Sequence, residues 1–166
     1  MNTFQNINGM TVNQLTSGFV LGTTSTFTTT ATTTGVINGL FGTGLAAQTN
    51  AATPTLDATT GAAFVPLTAN QATVLVWGVN AAGAIKLAQG QIVPTETGVT
   101  TTAGAFITAP QFPMTPDDFV PVAYNLVRTS PTGLAFTAGT TAWAASGITC
   151  SVAKNINTLP ARPVVA

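Results

Sequence analysis

The sequence is short of charge. Its 166 residues include four Lys or Arg, four Asp or Glu, and no His. Charged residues make up 5% of the chain, where a soluble domain carries roughly 25%. The apolar fraction, 45%, is ordinary, so charge has been exchanged for hydroxyls and small side chains: 34 Thr, 26 Ala and 16 Gly. The eight charges are Asp57, Lys86, Glu96, Asp117, Asp118, Arg128, Lys154 and Arg162, and the first 56 residues carry none.

Each absence excludes a class of chemistry. Without His there is no Ser-His-Asp triad, no Cys-His pair and no His-ligated zinc. The single cysteine, Cys150, forms no intrachain disulfide and no paired-cysteine metal site. Four cations cannot neutralise the roughly six to ten phosphates that a nucleic-acid binder contacts. A net charge of zero gives no steering toward anionic membranes, and no apolar run approaches the ~18 residues of a membrane span. The expectation is a non-enzymatic chain with no cofactor, no metal, no nucleic-acid partner and no membrane. Met1 to Gln5 has neither a basic nor an apolar leader region, and one thiol suits assembly in a reducing cytoplasm. A monomer with so little charge has poor colloidal protection, which makes sense where much of the surface lies against other subunits.

What is present reads as strand. No window sustains helical apolar spacing, and Gly or Pro interrupts most stretches. The tract Thr23 to Thr34 is β-branched, stiff at χ1 and suited to pleated surface, with hydroxyls supplying solvation. Asn38-Gly39 between Val36-Ile37 and Leu40-Phe41 is a strong hairpin signal, repeated more weakly at Asn8-Gly9. Residues 43–63 read as loop or linker. Ala72 to Val79 reads as a buried strand, Asn80 to Gly83 as a turn with Gly83 left-handed, and Ala84 to Val93 as the returning strand with Lys86 solvated at its middle. Further strands are expected at Thr100 to Thr108, Phe119 to Arg128, Leu134 to Ala138 and Ile148 to Lys154. The proline-rich run Ala109 to Pro116 should cross between sheets or run over the surface, and Thr158 to Pro163 reads as an extended tail. Short strands with turn signals every 8–15 residues predict an all-β, antiparallel β-sandwich or small jelly-roll-like barrel. An extended or hairpin-forming Thr/Gly-rich arm is expected over residues 1–60, and the sandwich over 61–166.

The candidate chemistry is thin. Asp117-Asp118 follows Pro116 and suits a turn, since adjacent residues in extended chain face opposite ways and make a poor acid–base pair. Gly39, Gly42 and Gly44 lack the following Lys-Ser/Thr of a phosphate loop. Cys150 fits a small core residue. Trp77, Trp143 and Tyr124 suit core or interface anchors, with a sugar-stacking platform as the alternative. The Thr spacing has no fixed period of the kind an ice-binding array needs.

From about Gln71 onward the chain resembles the small decoration, cement or head-fibre proteins of tailed-phage capsids. The residues that carry the resemblance are VLVWGVNAAGAIKLAQGQIV (Val74 to Val93), APQFP (Ala109 to Pro113), FVPVAYNLV (Phe119 to Val127) and TLPARP (Thr158 to Pro163). They cover a little over half of the chain and match in texture and order. The resemblance implies a β-rich fold, a symmetric homo-oligomer with a trimer favoured, and binding to the major capsid protein on the outer surface of a virion assembled in the host cytoplasm. Its alternative is a carbohydrate-binding or adhesin-like module of a head or tail fibre. The residues expected at a subunit or capsid interface are Phe27, Ile37, Phe41, Phe112, Arg128 and Arg162. The two arginines are chosen because a guanidinium tolerates partly buried pairing.

Overall fold

A computed structural model of the chain describes residues 12–13, 18–29, 35–37, 40–41 and 44–164. The described strands, in chain order, are β1 (Val12–Asn13), β2 (Phe19–Leu21), β3 (Thr26–Thr29), β4 (Gly35–Ile37), β5 (Leu40–Phe41), β6 (Gln48–Ala52), β7 (Gln71–Asn80), β8 (Ile85–Gln89), β9 (Val93–Pro94), β10 (Phe119–Thr129), β11 (Ile148–Cys150) and β12 (Lys154–Asn155). All pairings between these strands are antiparallel, and no helix occurs among the described residues. The fold is all-β, with two antiparallel sheets packed as a sandwich.

The larger sheet is built on β7 and β10, which pair along most of their length. β8 and β9 divide the outer edge of β7, and β11 and β12 divide the outer edge of β10. Both central strands are apolar on both faces, the pattern of strands covered from each side. Leu75, Trp77 and Val79 point to one face of β7; Val74 and Val76 point to the other. The β10 register shifts between Pro121 and Ala123, so Val122 and Ala123 both turn toward the first face. Pro121, which has no N–H to give a ladder, sits at that bulge.

The first face carries the main core. A three-stranded sheet in the order β2-β3-β6 lies over it, and its Phe19 and Phe27 reach the indole of Trp77 at ring-centroid distances of 4.6 and 5.4 Å. Trp143 and Phe136 extend the aromatic cluster. Each large side chain buried here contributes about 1.5–3 kcal/mol from area alone. The second face is covered by loops: Phe106, Phe112, Ile156 and Leu159 pack over Val76, Tyr124 and Leu126. The hairpin register Ile37↔Leu40 and Val36↔Phe41 follows the Asn-Gly signal, and β1 adds to it through Val12↔Val36.

Several expectations are corrected. Residues 43–63 hold a strand, β6, where the Ala/Thr/Gly composition suggests linker. Phe19, Phe27 and Leu45, from the stretch expected as an extended or hairpin-forming arm, are buried in the same core cluster as Trp77. The segments around Phe106 and Phe136 make single bridges, Thr95↔Phe106 and Leu67↔Phe136, instead of strands. Ile148 to Lys154 is split in two at Ser151, whose hydroxyl accepts from Leu126 N–H at 2.9 Å. Asn8-Gly9 lies outside the described residues.

Threonine has a second role besides solvating the surface. Thr73 and Thr129 are almost fully buried. Thr73 Oγ1 donates to Gly90 O at 2.8 Å, where β8 ends. Thr129 Oγ1 accepts from Gln71 N–H at 3.0 Å and donates to Thr68 O, tying the start of β7 to the end of β10. These hydroxyls satisfy backbone groups where ladders end, a task for which a buried charge would cost far more in desolvation.

Candidate interaction surface

Among the described residues, the outer strands β8, β6 and β12 are each protected at their edges. An exposed strand edge is a template for another strand unless it is blunted. β8 is covered by residues 57–65. Asp57 Oδ1 accepts from Gln89 N–H at 3.2 Å, Ala58 N–H donates to Leu87 O at 2.8 Å, and the Gln89 amide spans the backbone of Val65. β6 is blunted by a register shift opposite Phe27/Thr29 and by Asn50, whose φ is +50°. β12 is clipped to β2 by Asn155, whose Oδ1 accepts from Phe19 N–H at 2.7 Å and whose Nδ2 donates to Phe19 O at 3.2 Å.

Beyond that clip, β2 and β11 diverge around a groove of about 510 Å³. Val20 and Leu21 form one wall, Ile148, Cys150 and Val152 the other, and Trp143 lies at the base. No lining residue is charged. Trp143 is held there by its Nε1–H, which donates to Thr26 O at 3.1 Å. At the far end Ala144 N–H donates to Thr23 O at 3.2 Å.

The strand registers orient the backbone at both walls. Gly22 N–H donates to Thr26 O at 2.9 Å, so Val20 and Thr28 form the hydrogen-bonded pair and the polar groups of Phe19 and Leu21 point away from β3. Asn155 takes those of Phe19 and leaves those of Leu21. On the other wall Ser130 N–H donates to Gly147 O and Ser151 N–H to Leu126 O, both at 2.8 Å. Cys150, out of phase with these pairs, therefore turns its N–H and C=O away from β10. Among the described residues nothing pairs with the outward backbone groups of Leu21 or Cys150.

The Cys150 side chain turns inward, where Asn125 Nδ2 donates to its Sγ at 3.2 Å. Burial pushes the thiol up to about 11, against a smaller lowering by that hydrogen bond. A thiol held this way is a poor nucleophile at neutral pH.

The expected interface residues are scattered. Phe27 is fully buried and Ile37 is 7% exposed, because alternate positions of β3 and β4 point into the molecule. They support the chain's own fold and offer no partner surface. Phe112 is half-buried, its ring edge-on to Tyr124 at 5.0 Å. The Arg128 guanidinium donates to Gly104 O at 2.8 Å and lies 5.4 Å from the Phe106 ring centroid, which binds it within the chain. Arg162 is exposed, and the side chain of Phe41 lies outside the described residues. Phe27 lies in the core on the first face, whereas Phe112, and the Phe106 ring under Arg128, pack on the second.

Trp77, Trp143 and Tyr124 are all buried, so none presents a face for a sugar. Asp117 and Asp118 sit in a turn, as expected, and no group of three His, Cys, Asp or Glu able to hold a metal occurs among the described residues. Sequence reasoning missed the groove. Val20-Leu21 and Ile148 to Val152 each show an apolar pattern, but they lie more than 120 residues apart and only the fold juxtaposes them.

The sequence matches no family model, and no curated protein or solved structure matches the chain.

Proposed function

We propose that this chain is a non-enzymatic structural protein of a virion, a decoration or cement protein. It binds the outer capsid surface and bridges neighbouring major capsid protein subunits. It acts as a homo-oligomer, with a trimer favoured. The observation that carries this reading is the surface: with 5% charge, the chain exposes Val20, Leu56, Val65, Val99, Ile107, Met114, Leu134, Val152 and Val164 by half or more. Large apolar side chains spread around a nearly uncharged domain suit multiple weak contacts with a repeating lattice, where multivalency multiplies modest affinities. The mechanism is a clamp. Contacts across two capsomers raise the barrier to their separation, and no covalent step is involved.

The test is occupancy. Purified protein mixed with capsids that lack it should sediment with them at a fixed copy number and raise their melting temperature. Protein that remains in the supernatant, or binds without changing the melting of the particle, contradicts the clamp.

A further inference from the structure

We infer that the groove between β2 and β11 is a strand-acceptor site, and that its occupant is the segment of residues 1–11 from a second copy of this chain. Two backbone edges face the same groove, and each offers one N–H and C=O with no partner among the described residues, at Leu21 and at Cys150. An extended segment laid between them can exchange hydrogen bonds with both, the mode in which main-chain bonds give affinity and side-chain pockets give selectivity. Asn155 at one end and the Ala144–Thr23 contact at the other limit the opening to a short stretch. It therefore fits an inserted strand and excludes broad edge-to-edge pairing of two β2 strands.

The chemistry of the occupant follows from the lining. An uncharged groove penalises a charged guest, because a charge placed there loses hydration and gains no partner. Residues 1–11, Met-Asn-Thr-Phe-Gln-Asn-Ile-Asn-Gly-Met-Thr, carry no charge and supply Phe4 and Ile7 as apolar side chains. They precede β1, which is already committed to β4. Eleven residues reach ~36 Å when extended, more than twice the ~15 Å radius of gyration expected for a domain of this length. The segment is thus long enough to leave its own sandwich and enter a neighbour's. Such an exchange would build the homo-oligomer without any charged interface, and it stands whether or not the assembly sits on a capsid.

The Cys150 thiol is buried against Asn125, so the reporter is placed on the exposed groove wall by Val152→Cys in a Cys150→Ser background, Val152 being 83% exposed. In that background the full-length Ile7→Cys and Phe4→Cys variants, oxidised at low micromolar concentration and run on non-reducing gels, should give covalent dimers and higher oligomers from at least one of the two. Proteins carrying only one of the paired cysteines should not give the higher oligomers. The further substitution Val20→Asp, at a side chain 53% exposed on the opposite groove wall, should lower the yield at least tenfold. Val65→Asp, surface-placed on the β8 side, should leave it unchanged. An intrachain crosslink that runs as a compact monomer, the absence of crosslinks from both variants, or crosslinks insensitive to Val20→Asp would each overturn the inference.

Discussion

The indole Nε1–H of Trp77 donates to Oδ1 of Asn125 at 2.8 Å, in a core where both residues are fully buried. The same asparagine donates through Nδ2 to Cys150. One buried amide therefore joins β7, β10 and β11 across the larger sheet, and it ties the centre of the core to the wall of the groove.

Replacing Asn125 with Leu keeps the volume and strands the Trp77 donor. An unsatisfied buried donor costs about 1–3 kcal/mol, which for a chain of this size lowers the melting temperature by roughly 2–12 °C. Thermal unfolding followed by circular dichroism checks this. A melting temperature unchanged within a degree would mean that the indole finds another acceptor.

Cys150 should be slow toward thiol reagents. With its thiol raised to about 11, the reactive thiolate is scarce at neutral pH, and labelling by a maleimide should lag a free thiol by an order of magnitude or more until the protein is unfolded. The same shift has a consequence for stability. The folded state favours the neutral thiol, so its contribution is fully present below the ordinary value of 9.0 and declines as pH rises toward about 11. The wild-type protein should lose stability over that window relative to Cys150→Ser, by at most about 1.4 kcal/mol per pH unit. Parallel pH curves for the two proteins would contradict the assignment.

Asp57 holds the cover over the β8 edge. Its carboxylate accepts from the backbone N–H of Thr59 and Gln89 and from the hydroxyl of Thr60. The Asp57→Ala variant should lose about 1–3 kcal/mol and show faster amide exchange across residues 57–65 than elsewhere. It should also aggregate more readily, because an uncovered edge recruits strands. Exchange that rises uniformly over the whole chain would instead point to global destabilisation.

Gly78 lies directly under the Phe119 ring, in the space that a Cβ would occupy. The Gly78→Ala variant should therefore push Phe119 off its seat and destabilise by about 1–3 kcal/mol. Combining it with Phe119→Leu should recover part of the loss, as measured by a double-mutant cycle in urea. Strict additivity would show that the two positions do not collide.

The parts of the fold that sequence discloses are those with local causes. β7 and β10 are legible because their apolar runs exceed what a half-buried strand needs, the β4–β5 pairing because Asn-Gly separates the two strands in the sequence, and the Asn80–Gly83 turn because its residue types suit it. Leu134 to Ala138 and Thr100 to Thr108 look like strands by composition. They miss because β propensity reports fitness for a half-buried surface, which Phe106 and Phe136 satisfy by capping the core from loops. β6 is hidden for the opposite reason: Gln48 to Ala52 is polar and small, and it becomes a strand only because β3 offers it an edge. The interface residues fail for the same reason as the groove. Whether Phe27 points inward, or Leu21 faces Cys150, depends on pairings between distant segments, and eight charges mark too few surface positions to reveal them.

The central claim, that this nearly uncharged sandwich is an assembly protein of a virion, is tested most directly by imaging purified capsids after incubation with the protein. The expected result is density for a symmetric oligomer at fixed positions bridging adjacent capsomers on the outer surface, together with a higher particle melting temperature. Capsids that carry no added density and melt as before would contradict it.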